Sequence, residues 1–535
     1  MTPAEGLSAR LKTLQEAGRI SLTPWPGLGA LALALTAEDP DRVVISQGGC
    51  HLTRGDLVGL AQRLGGALQA RGLKKGSVVA FQLPNWWEAC VVNMAAALFG
   101  WRIVPLLPIY RAAELGTILP ACGVEAIFVP AATPKIDHAA LVRGLDQVPP
   151  AIITVRGDSN DPDRFETLLD HEPGAPQIAP VADAKLILFT SGSTGRPKGV
   201  IHTHASLDSA VRVAAKYWGL DEDDVLYVPS PIGHIGGSIY AFEFPWITGC
   251  RTILEDHWEP SRAVACIDRE KVTFMAGATP FLRGLLDAAE AAGSRLPCLR
   301  HFICGGASVP PDLVRRALGA LPNAVVSRAY GSTEAPLAFP GIWDRATAEA
   351  RADTDGEKAL DVRLLGPRGR EVAAGAEGEI AVRGPQVFAG YLDPEDDKGS
   401  FTQDGFFLMG DLGRLVEERF VVITGRTKDI IIRKGENISP LEIENSLLRH
   451  PAVKTVSIVG APDAERGEMV VAFVVTKPGT HFGMAEMTAH LEAAGFARQK
   501  FPERLEVVGA LPTNSVGKIQ KPELRKIAAG LVPMP

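Results

Sequence analysis

The chain has 535 residues, 46% of them hydrophobic and 22% charged, which is too long for one hydrophobic core and matches the composition of a water-soluble globular enzyme. With 55 Lys and Arg against 62 Asp and Glu, its net charge of −7 gives no electrostatic footprint for nucleic acid or an anionic membrane surface. The seven cysteines are scattered, odd in number and form no C-x-x-C pair, and the first residues, with Glu5, Arg10, Lys12 and Glu16, lack the apolar core of a signal peptide; both features predict a cytoplasmic protein whose thiols are reduced core residues.

From about Pro40 to Val326, strand-like apolar runs alternate with helical patterns. An amphipathic helix is predicted from Asp56 to Ala70 and a strand at Val78-Val79-Ala80-Phe81. The hydrophobic stretch from Ala89 to Tyr110 is interrupted by Asn93, Arg102, Pro105 and Pro108, so it cannot supply the ~20 apolar helical residues of a membrane span. It reads instead as a core helix, Ala89 to Phe99, feeding a buried strand at Ile103-Val104. Further strands are predicted at Ile127-Phe128-Val129 and Ile152-Ile153-Thr154.

The run from Leu186 to His202, LILFTSGSTGRPKGVIH, predicts a buried strand, a hydroxyl- and glycine-rich loop and a second strand. Gly192, Gly195 and Gly199 let backbone N–H groups turn toward an anion, Thr190, Ser191, Ser193 and Thr194 add hydroxyl donors, and Lys198 adds a point charge. It is not a Walker-type P-loop, because Lys198 is followed by Gly199 and the apolar Val200-Ile201 rather than by a hydroxyl residue opening a helix. A solvent-exposed turn accounts for a few such residues but not for the whole run. His202 and His204 are expected to have a structural or capping role rather than to form a metal pair.

Beyond the loop, the acidic run Asp221 to Asp224 reads as a solvated turn. Strands follow at Leu226-Tyr227-Val228, Thr252-Ile253-Leu254 and Phe274-Met275, then a helix from Asp312 to Leu318 and a strand at Val325-Val326. This alternation predicts an α/β fold, a large N-terminal domain of doubly wound, mostly parallel sheets with ligands at the carboxyl ends of the strands. Short strands with turns from Asp361 to Val382 predict a small antiparallel β subdomain. The last ~110 residues carry Ile430-Ile431-Ile432, a helix from Pro440 to Leu448, strands at Val456 to Val459 and Val470 to Val475, and a helix from Pro522; they make a smaller, mobile α+β C-terminal domain. The expected division is 1–425 and 426–535, with a hinge near Lys428.

The loop from Thr190 to Lys198 resembles the signature loop of the adenylate-forming enzymes, the superfamily of acyl-CoA synthetases, free-standing adenylation domains and beetle luciferases. The superfamily's other motifs follow in order: Tyr330-Gly331-Ser332-Thr333-Glu334, Gly410-Asp411, Gly425-Arg426 with Lys428, and Pro512-Thr513-Asn514 with Gly517-Lys518. Leu106 to Arg111 and Tyr330 to Pro336 are most similar to cyclohexanecarboxylate-CoA ligases and related short- to medium-chain synthetases. Such enzymes let a carboxylate attack the α-phosphorus of ATP while pyrophosphate leaves, so the protein must position two anions, neutralise developing charge and hold Mg²⁺.

The resemblance implies a role for each motif. Thr190, Ser191, Gly192, Ser193, Thr194, Gly195 and Lys198 would hold the β- and γ-phosphates, with Thr194 counted among the catalytic groups. Tyr330 would stack on adenine beside Gly331 and Ser332, Thr333 would contact the α-phosphate, and Glu334 would ligate Mg²⁺. Asp411, helped by Arg426, would accept from the ribose hydroxyls, and Lys518 would reach the α-phosphate and the acid. His234 would flank an acyl site lined by Gly236, Gly237, Gly305, Gly306, Ala329 and Pro336, an apolar pocket in which Arg328 is the exception to watch. Swinging about Lys428 would withdraw Lys518 and bring in Arg433 to Asn437, whose Gly435 would line a pantetheine tunnel. Two positions depart from the usual pattern, Ala329 for glycine and Met409 for threonine.

Taken singly, Tyr330, Glu334, Asp411 and Lys518 each have an ordinary structural explanation; their order along the chain favours the catalytic one. The expected activity is an AMP-forming acid:CoA ligase using a small, largely apolar carboxylic acid, ATP and coenzyme A, without a nucleic-acid partner or membrane span and compatible with a homodimer. The alternatives are an adenylation enzyme that loads a carrier protein, a silent nucleotide-binding protein and, last, luciferase chemistry.

Overall fold

Runs that are apolar at every position, rather than at every second one, belong to strands covered on both faces, and such runs build two seven-stranded sheets. The computed structural model of the chain describes residues 3–131, 136–157, 163–191, 196–306, 309–433, 436–463, 466–513 and 519–531. In the first sheet Val325–Arg328, His301–Cys304, Phe274–Gly277, Val225–Val228, Arg251–Leu254 and Val43–Gln47 lie side by side and parallel, closed by the antiparallel edge strand Cys50–Thr53. In the second, Ala184–Ser191, Arg102–Pro105, Val78–Phe81, Val124–Pro130 and Ala151–Val155 are parallel. Pro197–Thr203 and Gly390–Tyr391 extend that sheet antiparallel beyond Ala184–Ser191.

Helices Arg54–Ala70 and Trp87–Phe99 lie in the core that both sheets share. Trp87–Phe99 is buried from Glu88 onward and ends on Gly100, whose φ of 65° stops the helix in the left-handed region. At their crossing the two helices approach so closely that a Cβ on Gly65 would lie 1.8 Å from the ring of Phe99, itself stacked on Trp101.

Asp361–Leu365, Gly378–Arg383, Phe407–Val416 and Phe420–Arg426 form the antiparallel subdomain. Beyond it, Glu436–Ile438, Ile431–Arg433, Gly467–Thr476, Val453–Asp463 and Arg504–Val507 form a separate sheet. Ile443 and Leu447 of helix Pro440–Leu447 pack on one side of that sheet, and Leu524 and Ala528 of helix Lys521–Ala529 on the other. The expected α/β architecture, with its large N-terminal part of parallel sheets and small C-terminal domain, is the one observed. No helix among the described residues is long and apolar enough to cross a membrane.

One local reading is corrected. Asp224, expected in a solvated turn, is buried; its carboxylate accepts from Arg300 at 2.9 Å and from the Thr273 hydroxyl at 2.5 Å, anchoring the turn to the sheet. Burial also holds the imidazoles of His202, His204 and His301 low, at about 4, about 3 and about 4.

Two stability predictions follow from this packing. Gly65→Ala is expected to destabilise the chain by about 1–3 kcal/mol through overpacking, whereas Gly59→Ala, in the same helix with nothing within 4 Å of its Cβ, should stabilise it by about 0.5–1 kcal/mol; urea unfolding that ranks them otherwise contradicts the packing. The three histidines stay neutral in the folded chain but protonate near 6.5 when unfolded, so the unfolded state binds more protons below that pH. Stability is therefore expected to fall as pH drops from about 6.5 to about 4, each histidine contributing about 1.4 kcal/mol per pH unit, and His301→Gln should shallow the slope; an unchanged slope contradicts the assignment.

Candidate active site

On either side of the glycine-rich run, Ala184–Ser191 and Pro197–Thr203 pair as an antiparallel hairpin, with Thr190 opposite Lys198 and Phe189 opposite Gly199. Gly192, Ser193, Thr194, Gly195 and the Ser191 side chain lie outside the described residues. At this end of the hairpin the two cations already have partners. Lys198 Nζ is 3.2 Å from Asp396, and Arg196 is 2.9 Å from Asp393 and 3.0 Å from Asp396. These carboxylates reach the hairpin because Gly390–Tyr391 pairs with Val200 and Ile201, placing the acidic turn that follows against its flank. The Lys198 ammonium also stands 4.9 Å from the centre of the Tyr391 ring.

The Tyr330 segment leaves the carboxyl end of Val325–Arg328 and folds back on itself. Tyr330 and Phe339 exchange backbone hydrogen bonds of 2.9 Å, and the Ser332 hydroxyl accepts from the Ala335 N–H at 3.2 Å. A Cβ on Gly331 would lie 2.9 Å from both the Ala335 carbonyl and the Leu337 nitrogen, so the turn requires glycine. The Thr333 carbonyl accepts from His202 Nε2 at 2.7 Å, and His202 Nδ1 lies 3.0 Å from the Ser206 hydroxyl. Because a carbonyl only accepts and burial keeps this imidazole neutral, the proton is on Nε2 and Ser206 donates to Nδ1. Thr203 caps the helix His204–Trp218, so the His202–His204 pair is built into a structural junction. Glu334 accepts from the Phe388 N–H at its carbonyl and from the Tyr391 phenol at its carboxylate, each at 2.8 Å.

Asp411 lies opposite Arg426 across the antiparallel pair Phe407–Val416 and Phe420–Arg426. Its buried carboxylate accepts from Arg426 Nε at 2.6 Å and from the Tyr330 phenol at 2.5 Å. Burial and then the Asp411 charge push the Tyr330 phenol far above its ordinary range, so it stays a donor; Asp411 raises the Arg426 guanidinium against the opposing effect of burial. Met409, where threonine was expected, fills an apolar cluster with Phe407 and Tyr330.

Among the expected acyl-site residues, Gly305 and Gly306 follow His301–Cys304 and Ala329 follows Val325–Arg328, two neighbouring strands of the first sheet. His234 caps helix Ile235–Phe242, its ring nitrogen accepting from the Gly236 N–H at 3.2 Å. A Cβ on Gly236 would meet only the His234 ring, at 3.5 Å, and one on Gly306, with φ of 81°, would meet nothing within 4 Å among the described residues beyond its chain neighbours. Gly237 differs from expectation: a Cβ there would be 2.1 Å from the Pro231 carbonyl, so main chain fills the space beside it. Gly305 is similarly close to the Ala329 carbonyl, and the Pro336 carbonyl accepts from Gln386 at 3.2 Å. Arg328 is buried against Asp355 and donates to the Asp353 carbonyl at 2.9 Å, so its charge is used within the protein.

Lys518 and Gly435 lie outside the described residues; Thr513 and Ile519, on either side of Lys518, form an antiparallel bridge. After Arg426, Arg525 of the last helix donates to the Lys428 carbonyl at 3.3 Å and pairs with Asp429. These contacts join Lys198, Tyr391 and Glu334 in one set and Tyr330, Asp411 and Arg426 in another, linked through the Tyr330 segment. Tyr391 and the Asp393–Asp396 turn had no place in the sequence reading; their one signal is a Gly-Tyr pair followed by an acidic turn.

No group of three or more His, Cys, Asp and Glu side chains among the described residues is arranged to hold a metal. A cation at Glu334 would therefore be completed by phosphate oxygens and water, a donor set that suits Mg²⁺.

Residues 34–392 match the AMP-binding enzyme family and residues 442–518 the AMP-binding enzyme C-terminal domain. The chain is 33% identical to the medium-chain fatty-acid–CoA ligase of Escherichia coli K12, over 91% of this chain and 88% of that protein. It is 32% identical to a Mycobacterium tuberculosis protein named salicyl-AMP ligase / salicyl-S-ArCP synthetase, over 90% of this chain and 87% of that protein. The crystal structure of ATP-bound MatB from Rhodopseudomonas palustris superposes with a TM-score of 0.83 at 28% identity, over 94% of this chain and 99% of that one. The chain belongs to the AMP-binding enzyme family, the adenylate-forming superfamily that its loop and Tyr330 motifs resemble.

Proposed function

We propose that this protein is an AMP-forming acid:CoA ligase for a largely apolar carboxylic acid. The acid's carboxylate oxygen bonds to the α-phosphorus of ATP as the α–β bridging bond breaks and pyrophosphate leaves. The thiol of CoA then attacks the acyl carbon and AMP departs. The observation that carries this reading is the Asp411 carboxylate, oriented by Tyr330 and Arg426 beside the segment that presents Thr333 and Glu334. A carboxylate so held is an acceptor for a ribose, and Tyr330, its phenol occupied by Asp411, offers its ring to a base.

Thr190, Lys198 and the hydroxyls and N–H groups of 191–195 take the β- and γ-phosphates; Thr333 and Lys518 take the α-phosphate. Glu334 holds Mg²⁺, which when bound neutralises phosphate charge. His234, Gly236, Gly306 and Ala329 border the acyl group, and Arg328, already paired with Asp355, leaves that border without a fixed counter-charge. The reading divides the chain at 425/426, with Lys428 as the pivot that lets Lys518 serve the first step and Gly435 the second. Loading a carrier protein is the second reading, favoured by the name of the mycobacterial relative, a salicyl-S-ArCP synthetase.

The reading is tested by pyrophosphate release across straight-chain, alicyclic and aromatic acids with and without CoA, products being identified by mass. CoA-dependent acyl-CoA formation is expected, with dicarboxylic acids slower by about tenfold or more because a second charge would be desolvated unpaired. Acid-dependent pyrophosphate release without thioester would favour the carrier-protein reading, and no release with any acid would end both. Lys428→Pro is expected to keep acid-dependent ATP–pyrophosphate exchange within about twofold and to lower thioester formation by about tenfold or more; equal loss of both steps contradicts the pivot.

A further inference from the structure

Tyr391 sits between the two charged elements that the proposed reaction needs, and no motif of the sequence analysis assigns it a role. Its phenol donates to Glu334 Oε1 at 2.8 Å, and its ring lies 4.9 Å from the Lys198 ammonium. We infer that Tyr391 is a positioning residue that fixes the Glu334 carboxylate for its cation and couples it to the phosphate-loop lysine. The inference rests on the reading of Glu334 as the Mg²⁺ carboxylate.

Tyr391 can do this because it is itself held on every side. Its backbone pairs with Val200 in the strand that carries Lys198, so phenol and lysine stand on adjacent strands of one sheet. Its N–H donates to Asp397 at 2.8 Å, its carbonyl accepts from Arg10 at 3.1 Å, and Arg10 pairs with Asp397. The ring meets Phe388 edge-on at 4.8 Å, and Phe388 is packed by Phe401 and Phe407. Phe388 also donates its N–H to the Glu334 carbonyl, so backbone and side chain of Glu334 are gripped from the same segment.

A carboxylate with two acceptor oxygens can rotate about its last torsion, and a rigid donor on Oε1 fixes which way Oε2 faces. A donor of this kind, one step removed from the metal, typically governs metal affinity by about 10- to 100-fold. Asp396, which pairs with Lys198 at 3.2 Å, is itself paired with Arg196 at 3.0 Å. That pairing sets the charge around Lys198, whereas Tyr391, among the described residues, is in contact with both Lys198 and Glu334.

Tyr391→Phe removes the donor and keeps the ring. In the full-length protein, Mn²⁺ binding to the ATP complex, followed by electron paramagnetic resonance, is expected to weaken about tenfold, with the half-saturating Mg²⁺ for pyrophosphate release rising in parallel. Binding of AMP in EDTA should stay within about twofold, a readout that a general loss of structure would move. Glu334→Gln is the reference: it should weaken Mn²⁺ binding at least as much, and adding Tyr391→Phe to it should cost less than about twofold more. Unchanged Mn²⁺ binding in Tyr391→Phe alongside a weakened Glu334→Gln overturns the inference and leaves the reading of Glu334 standing. Unchanged binding in Glu334→Gln overturns both.

Discussion

The carboxylate of Asp411 is the point on which the arrangement of the site depends. It is buried, and a buried carboxylate is tolerable only when its lost hydration is replaced by close, well-directed donors. The replacements come from distant parts of the chain: the Tyr330 phenol from the edge of a parallel sheet and the Arg426 guanidinium from the last residue of the antiparallel one. The requirement to satisfy one charge therefore fixes how two sheets meet. The same corner is tied once more by Thr427, next after Arg426, which donates its N–H to the carbonyl of Gly410, the neighbour of Asp411.

A second constraint acts on the cations. Lys198 and Arg196 at the base of the glycine-rich hairpin are paired with Asp396 and Asp393. An anion that takes Lys198 exchanges partners with Asp396 rather than meeting a bare charge, so its net gain is a difference between two ion pairs. Selectivity then rests on what else the anion engages at once. In the proposed reaction these are the hydroxyl-rich loop, Thr333, and a cation on Glu334, a combination that a polyphosphate satisfies and a simple anion does not.

Much of this was legible in the sequence where the chemistry is local. The strands at Val78–Phe81 and Phe274–Gly277, the core helix through Ala89 to Phe99 and the glycine-rich hairpin each announce themselves in consecutive residues, because apolar runs, helical spacing and turn residues act over a few positions. What escaped depends on contacts that the local pattern does not encode, most of them with residues far away in the chain. Asp224 looked like a turn carboxylate because Arg300 is 76 residues distant, and Gly237 looked spacious because the carbonyl that fills its side belongs to a fold-back of the preceding loop. Tyr391 passed unnoticed for the same reason, its partner Glu334 being 57 residues earlier. Arg328 shows the converse: the charge was visible, but not that Asp355 consumes it.

In the proposed reaction everything turns on the acid attacking the α-phosphorus. Oxygen-18 in both carboxylate oxygens of an accepted acid tests it directly, because the bridging oxygen of an acyl-adenylate stays with AMP when the acyl group leaves. One labelled oxygen is expected in the AMP phosphate and none in pyrophosphate or inorganic phosphate. Label in inorganic phosphate, or product formed with unlabelled AMP, would contradict it.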